Sequence, residues 1–158
     1  MFTVWMIVIN TTFWLVVCFG LAYGVRLIPR SFYEKNTWVF HERSYEKRFY
    51  KKIQLSLWKD KLPEWGNVFN FEKKNLHTEL NKEYLNKFIL ETYYAEVGHI
   101  GMGIVGFACI VVNPEGFTRF ALICSSVNLV VQIPFCLIQR YNRPRLIRLR
   151  DKFTDRGA

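Results

Sequence analysis

The apolar positions fall into three long runs separated by polar stretches. Residues 1–25 carry no charged side chain, residues 97–114 none, and residues 116–139 only Arg119. A helix rises about 1.5 Å per residue, so crossing about 30 Å of hydrocarbon takes about 20 residues. The first and third runs meet that length. The second, Val97 to Val112, is shorter and must begin inside the preceding polar stretch if its helix crosses fully. Spans are therefore predicted at about 3–25, 97–112 and 117–138. Asn113-Pro114-Glu115-Gly116 reads as a tight turn between the last two, and Pro134 predicts a kink near the end of the third. The first run lacks a basic start and is too long for a signal core, so it reads as a retained anchor.

The central segment, 26–96, is not a simple loop. Phe32, Tyr33, Trp38, Phe40, Tyr45, Phe49, Tyr50, Trp58, Trp65, Phe69 and Phe71 are too many aromatics for a disordered linker. Within Glu46 to Lys61, Phe49, Ile53 and Leu57 recur every four residues beside Lys51, Lys52, Lys59 and Lys61, which predicts one helix lying in the headgroup layer. A period-two reading of Ile53, Leu55 and Leu57 competes with it. After the break at Leu62-Pro63-Glu64-Trp65-Gly66-Asn67, helical spacing resumes from Asn75 through Leu76, Leu80, Tyr84 and Phe88, and predicts a long helix running into the second span.

Composition sharpens this picture. The chain has 158 residues, 51% hydrophobic, 17% aromatic and 22% charged, which excludes disorder and argues against a water-soluble globule. The predicted class is an all-α membrane protein: one integral domain over 1–158, with three transmembrane helices, a central cytoplasmic or interfacial helical segment and a basic tail over 139–158. Fourteen Lys and Arg lie in 26–96 and seven in 140–158, with none in the 113–116 turn and none before the first span. The expected orientation places the amino terminus outside and the carboxyl terminus in the cytoplasm. Net charge +9 arises from these flanking residues and favours anionic lipid headgroups over nucleic acid. Cys18, Cys109, Cys124 and Cys136 all fall in apolar runs without a Cys-x-x-Cys pair, so they read as small packing residues rather than a metal site or disulfide framework.

The stretch that most invites chemistry is Glu91-Thr92-Tyr93-Tyr94-Ala95-Glu96-Val97-Gly98-His99. On a helix with Glu91 at zero, His99 lies at about 80° and Glu96 at about 140°, so one face carries an imidazole between two carboxylates. A carboxylate beside histidine raises its basicity and fixes its tautomer, the orienting role in nucleophile activation. An ionisable cluster entering a span is a functional candidate by default; the competing reading is a polar cluster satisfied by backbone or lipid phosphate. Gly98, Gly101, Gly103 and Gly106 follow, and admit close helix packing or, alternatively, an acyl-chain groove. His41 and Glu46 form a His-x-x-x-x-Glu that resembles the His-x-x-x-x-Asp of soluble glycerolipid acyltransferases, with the other acid. Trp58-Lys59-Asp60-Lys61-Leu62-Pro63 suits interfacial anchoring, and Gln139-Arg140-Tyr141-Asn142-Arg143-Pro144-Arg145 is dense in guanidinium groups, which suit phosphate or carboxylate recognition.

Taken in order, the Trp58–Pro63, Glu91–His99 and Gln139–Arg145 motifs resemble the glycosyl-4,4'-diaponeurosporenoate acyltransferase family, with the similarity running from about Ile28-Pro29 to Leu146. The resemblance implies a small protein of the bacterial cell membrane that esterifies a fatty acyl group onto a sugar hydroxyl of a glycosylated carotenoid or related glycolipid. It also implies no bound cofactor, an acyl donor that is acyl-coenzyme A or acyl carrier protein, and an amphiphilic glycolipid acceptor. In such a reaction His99 is the expected general base, with Glu96 or Glu91 orienting it. Arg140, Arg143 and Arg145 are expected to meet the donor's anionic groups, Asn142 the oxyanion, and Trp58 and Lys59 a phosphate or sugar. A homo-oligomer is compatible with this reading. The alternative is a non-enzymatic membrane scaffold or assembly partner.

Overall fold

A computed structural model of the chain describes residues 1–62 and 82–155, which form helices joined by turns and short irregular links. The predicted punctuation from Pro63 onward, with Trp65, Phe69, Phe71 and the helix start at Asn75, lies outside the described residues. Three helical stretches are long and apolar enough to cross a membrane: Phe2–Leu27, Lys82–Val112 and Glu115–Lys152. They correspond to α1 (Phe2–Gly24), to α6 (Lys82–Val105) with its short continuation α7 (Cys109–Val112), and to α8 (Thr118–Asp155). Between the first two lie α2 (Arg30–Lys35), α3 (Thr37–Phe40), α4 (Ser44–Lys52) and α5 (Leu55–Trp58). The chain forms two compact units, Met1–Phe32 with Tyr94–Leu137, and Tyr33–Tyr93 with Ile138–Ala158.

In the first unit α1 runs antiparallel to α6 and α7. Asn10 meets Asn113, while Trp14, Leu21 and Val25 meet Gly106, Gly101 and Gly98 in turn. Glycine is required most at Gly106, where a Cβ would lie 2.6 Å from Asn128 Nδ2 and 3.1 Å from the Trp14 ring, and at Gly103, where it would lie 2.8 Å from Leu129. These glycines serve helix packing, with side chains of α1 and α8 filling the space they leave. A polar clasp closes one end of the unit: Asn10 and Asn113 exchange side-chain hydrogen bonds of 2.9 and 3.0 Å, and Asn113 Nδ2 also donates to the Cys109 carbonyl. In hydrocarbon such paired amides satisfy groups that water cannot reach. The four cysteines are free thiols.

The second unit departs from the expected single helix over Glu46 to Lys61. Gln54 adopts φ 51°, a left-handed conformation, and the chain turns there between α4 and α5. A left-handed residue ends the run of forward hydrogen bonds, so the i, i+4 face of Phe49, Ile53 and Leu57 is not carried through. Tyr50 and Leu55 are buried instead, while Phe49 and Leu57 remain exposed. The basic tail continues the last helix: α8 runs 38 residues through Pro134, Asn142 and Pro144 to Asp155. The third span and the arginine-rich block are therefore one helix.

Candidate functional site

The imidazole of His99 is positioned from α8. Its Nδ1 lies 2.7 Å from Gln132 Oε1, and its ring stacks on Phe135 with centroids 4.9 Å apart. Gln132 Nε2 donates to Asn128 Oδ1 at 2.9 Å, and Asn128 Nδ2 donates to the Met102 carbonyl at 2.8 Å. This directional chain has one chemical consequence. Because the Gln132 amide spends its N–H on Asn128, its oxygen is the acceptor and His99 Nδ1 the donor, the arrangement that in a neutral imidazole leaves the lone pair on Nε2. Three side chains from consecutive turns of α8 thereby hold the ring plane and Nδ1 of one histidine.

Glu96, one turn earlier on α6, is buried, only 2% exposed, and its backbone carbonyl accepts the Cys136 thiol at 3.9 Å. Glu91 is half-buried on the same helix. The partner that the sequence did not supply for His99 is Gln132. The available signal was Asn128 and Gln132 themselves, two amides four residues apart within an apolar run, where polar side chains are expensive. If His99 takes part in proton transfer, Gln132→Leu is expected to lower kcat roughly tenfold or more with little change in KM, since an orienting contact acts on the transition state. Glutamate at 132, which keeps the acceptor oxygen, should recover part of that loss. Equal losses in both variants, or a change confined to KM, would argue against an orienting role.

In the second unit the arginine-rich block is largely engaged within the fold. Arg143 is only 1% exposed. Its Nε donates to Thr92 Oγ1 at 2.9 Å, its Nη2 to the Thr92 carbonyl at 3.0 Å and its Nη1 to the Phe40 carbonyl at 3.4 Å. The guanidinium also lies 4.2 Å from the Tyr93 ring centroid, within an aromatic cluster of Tyr33, Phe40 and Tyr93. Arg140 clasps Glu46 through Nε at 3.0 Å and Nη2 at 2.7 Å, and reaches the Val39 and His41 carbonyls. Glu46 additionally accepts the Tyr50 hydroxyl and the Arg43 backbone N–H. Burial first, and then the Glu46 carboxylate, push the Tyr50 phenol well above its ordinary range, so it remains a hydrogen-bond donor. In the His41/Glu46 pair, the carboxylate is thus held by Arg140 and the side chain of His41 is exposed.

The remaining candidates are more accessible. Arg145 is exposed and lies 3.3 Å over the Tyr141 ring, with Nη1 on the Tyr141 carbonyl. Asn142 is half-buried. Trp58 donates its indole N–H to the Ile53 carbonyl at 3.0 Å, and Lys59 pairs with Asp60 at 2.5 Å.

Comparison with known proteins bears on what this arrangement does. The family model described as glycosyl-4,4'-diaponeurosporenoate acyltransferase matches residues 29–152. Curated proteins of that name from Staphylococcus aureus are similar along most of their length. The one from strain COL is 26% identical over 151 residues, 92% of this chain and 88% of its own. The one from strain Newman is 27% identical over 143 residues, 87% of this chain and 83% of its own. No solved structure matches the chain. With the family's sequence pattern running from before α2 to the last turns of α8, over three membrane-length helices, the chain belongs to the glycosyl-4,4'-diaponeurosporenoate acyltransferase family and is a membrane enzyme that transfers acyl groups.

Proposed function

We propose that the protein esterifies a fatty acyl group onto a sugar hydroxyl of a glycosylated carotenoid or closely related glycolipid, with His99 as general base. The observation that carries the mechanism is the hydrogen-bond chain from Met102 through Asn128 and Gln132 to His99 Nδ1. It supports Nε2, rather than Nδ1, as the ring nitrogen that accepts the proton of the acceptor hydroxyl. The hydroxyl oxygen then bonds to the carbonyl carbon of a thioester donor, acyl-coenzyme A or acyl carrier protein. As the tetrahedral intermediate collapses, the carbon–sulfur bond breaks and the imidazolium returns its proton to the leaving sulfur. Nδ1 keeps its own proton on Gln132 throughout. Glu96, three residues before His99 on α6, supplies negative charge beside the imidazolium.

Recognition of the donor is a separate role, which we assign to the second unit. Arg145, which is exposed, is its leading candidate, with Lys59, Trp58 and the neutral Asn142 as further candidates, whereas Arg140 and Arg143 spend their guanidinium groups on Glu46, Thr92 and Phe40. The excess of Lys and Arg in 26–96 and 140–158 supports a cytoplasmic face for both segments and an outer amino terminus, in a bacterial cell membrane. The test is incubation of the purified protein with labelled acyl thioesters and a panel of glycolipids including glycosylated carotenoid acids. An acylated carotenoid glycoside is the expected product. Acylation of other glycolipids alone would replace the acceptor, and hydrolysis without any ester product would discard the reading.

A further inference from the structure

An open groove of about 420 Å³ lies along the first unit, walled by Trp14 of α1 and by Ile123, Cys124, Val127, Asn128 and Val131 of α8. That volume is in the range of small-molecule sites, which are largely apolar with a few placed polar groups. The one amide in its wall is Asn128, the same residue that holds Gln132 and, through it, His99. Opposite Asn128, Gly106 has no side chain, and both Trp14 and Asn128 close onto that position.

The groove also points somewhere. Cys124, Asn128, Val131 and Phe135 follow one another at i+4, i+3 and i+4, so they form a single stripe on α8. The stripe ends at Phe135, whose ring stacks on His99. The groove itself covers about 12 Å of α8, from Ile123 to Val131, and one further turn of the same stripe reaches Phe135, about 18 Å from Ile123, close to the reach of one fatty chain in its half of a roughly 30 Å hydrocarbon core. A rigid polyene crossing the whole core would overrun it. We infer that this groove holds the fatty chain being transferred, with its carbonyl end toward Phe135 and His99 and its methyl end toward Ile123. The inference deepens the acyl-transfer reading and rests on it.

The groove then acts as a ruler for chain length, and filling it at different depths should shorten the chains accepted. The experiment compares wild type with Val131→Trp and Ile123→Trp, using saturated acyl thioesters of graded length. Val131→Trp, nearer His99, should lower transfer of medium and long chains by roughly tenfold or more while short chains are transferred within about twofold of wild type. Ile123→Trp should penalise only the longest. A loss independent of length, or none in either variant, overturns the assignment and leaves the groove to ordinary membrane lipid.

A second measurement does not depend on turnover. A long-chain fatty acid carrying a photoactivatable group near its methyl end, added to the protein in liposomes, should label Trp14 and the Ile123–Val127 stretch, and excess unlabelled long-chain fatty acid should suppress this. Label spread over all lipid-facing residues, without competition, overturns the proposal even if the enzyme transfers acyl groups. Focused, competed labelling by a protein that makes no ester product would instead retain the groove and reject the proposed reaction.

Discussion

Replacing His99 with alanine is expected to lower acyl transfer by roughly 10²- to 10⁴-fold, the usual contribution of a positioned general base. The residual rate would come from holding two membrane-soluble reactants together, which the substitution leaves in place. The loss should appear in kcat, because in the proposed mechanism the imidazole, held by Gln132 and Phe135, serves proton transfer rather than substrate affinity. Labelled acyl transfer in membranes with matched amounts of folded protein measures it, and His99→Gln, which preserves polarity without a basic ring nitrogen, should be equally impaired. Undiminished turnover in both variants would remove the imidazole from the chemistry.

Arg143→Met should destabilise the protein by about 3 kcal/mol, visible as a lower thermal midpoint in detergent. The substitution keeps the aliphatic stem but removes the buried guanidinium's hydrogen bonds to the Thr92 hydroxyl and to the Thr92 and Phe40 carbonyls, and it takes a desolvated cation from the Tyr93 face. Lysine should rescue little, since an ammonium cannot reproduce three diverging guanidinium contacts. A variant of wild-type stability whose defect lies only in donor affinity would return Arg143 to substrate recognition. Arg145, exposed on the same helix, should show the opposite pattern if it meets the donor, with normal stability and raised KM.

These two residues show how differently parts of the site could be read in advance. His99 stood out in the sequence as a candidate because a titratable side chain at the edge of an apolar run is costly. Its orienting partner was not, because Gln132 lies 33 residues away and meets it only when α6 and α8 pack. Arg140 and Arg143 were legible as a dense cationic block, but density does not reveal whether guanidinium groups face a ligand or the protein's own carbonyls. In the central segment, Phe49, Ile53 and Leu57 carried a true helical period, yet the left-handed Gln54 divided it. Nothing in a glutamine's identity announces that conformation, because side-chain propensity there yields to the burial of Tyr50 and Leu55.

The sequence by itself determined the three membrane-length helices, the continuation of the second into the polar segment that precedes it, and the family. The first two follow from run length against bilayer thickness, which is a local comparison, and the third from ordered motifs spread over most of the chain. Only the tertiary structure decided which amide meets His99 Nδ1, which arginines are engaged by the fold, and which residues wall the apolar groove. Those outcomes depend on which helix faces meet. That is set by glycine contacts such as Gly106 against Trp14 and Asn128, at distances that spacing along one chain does not encode.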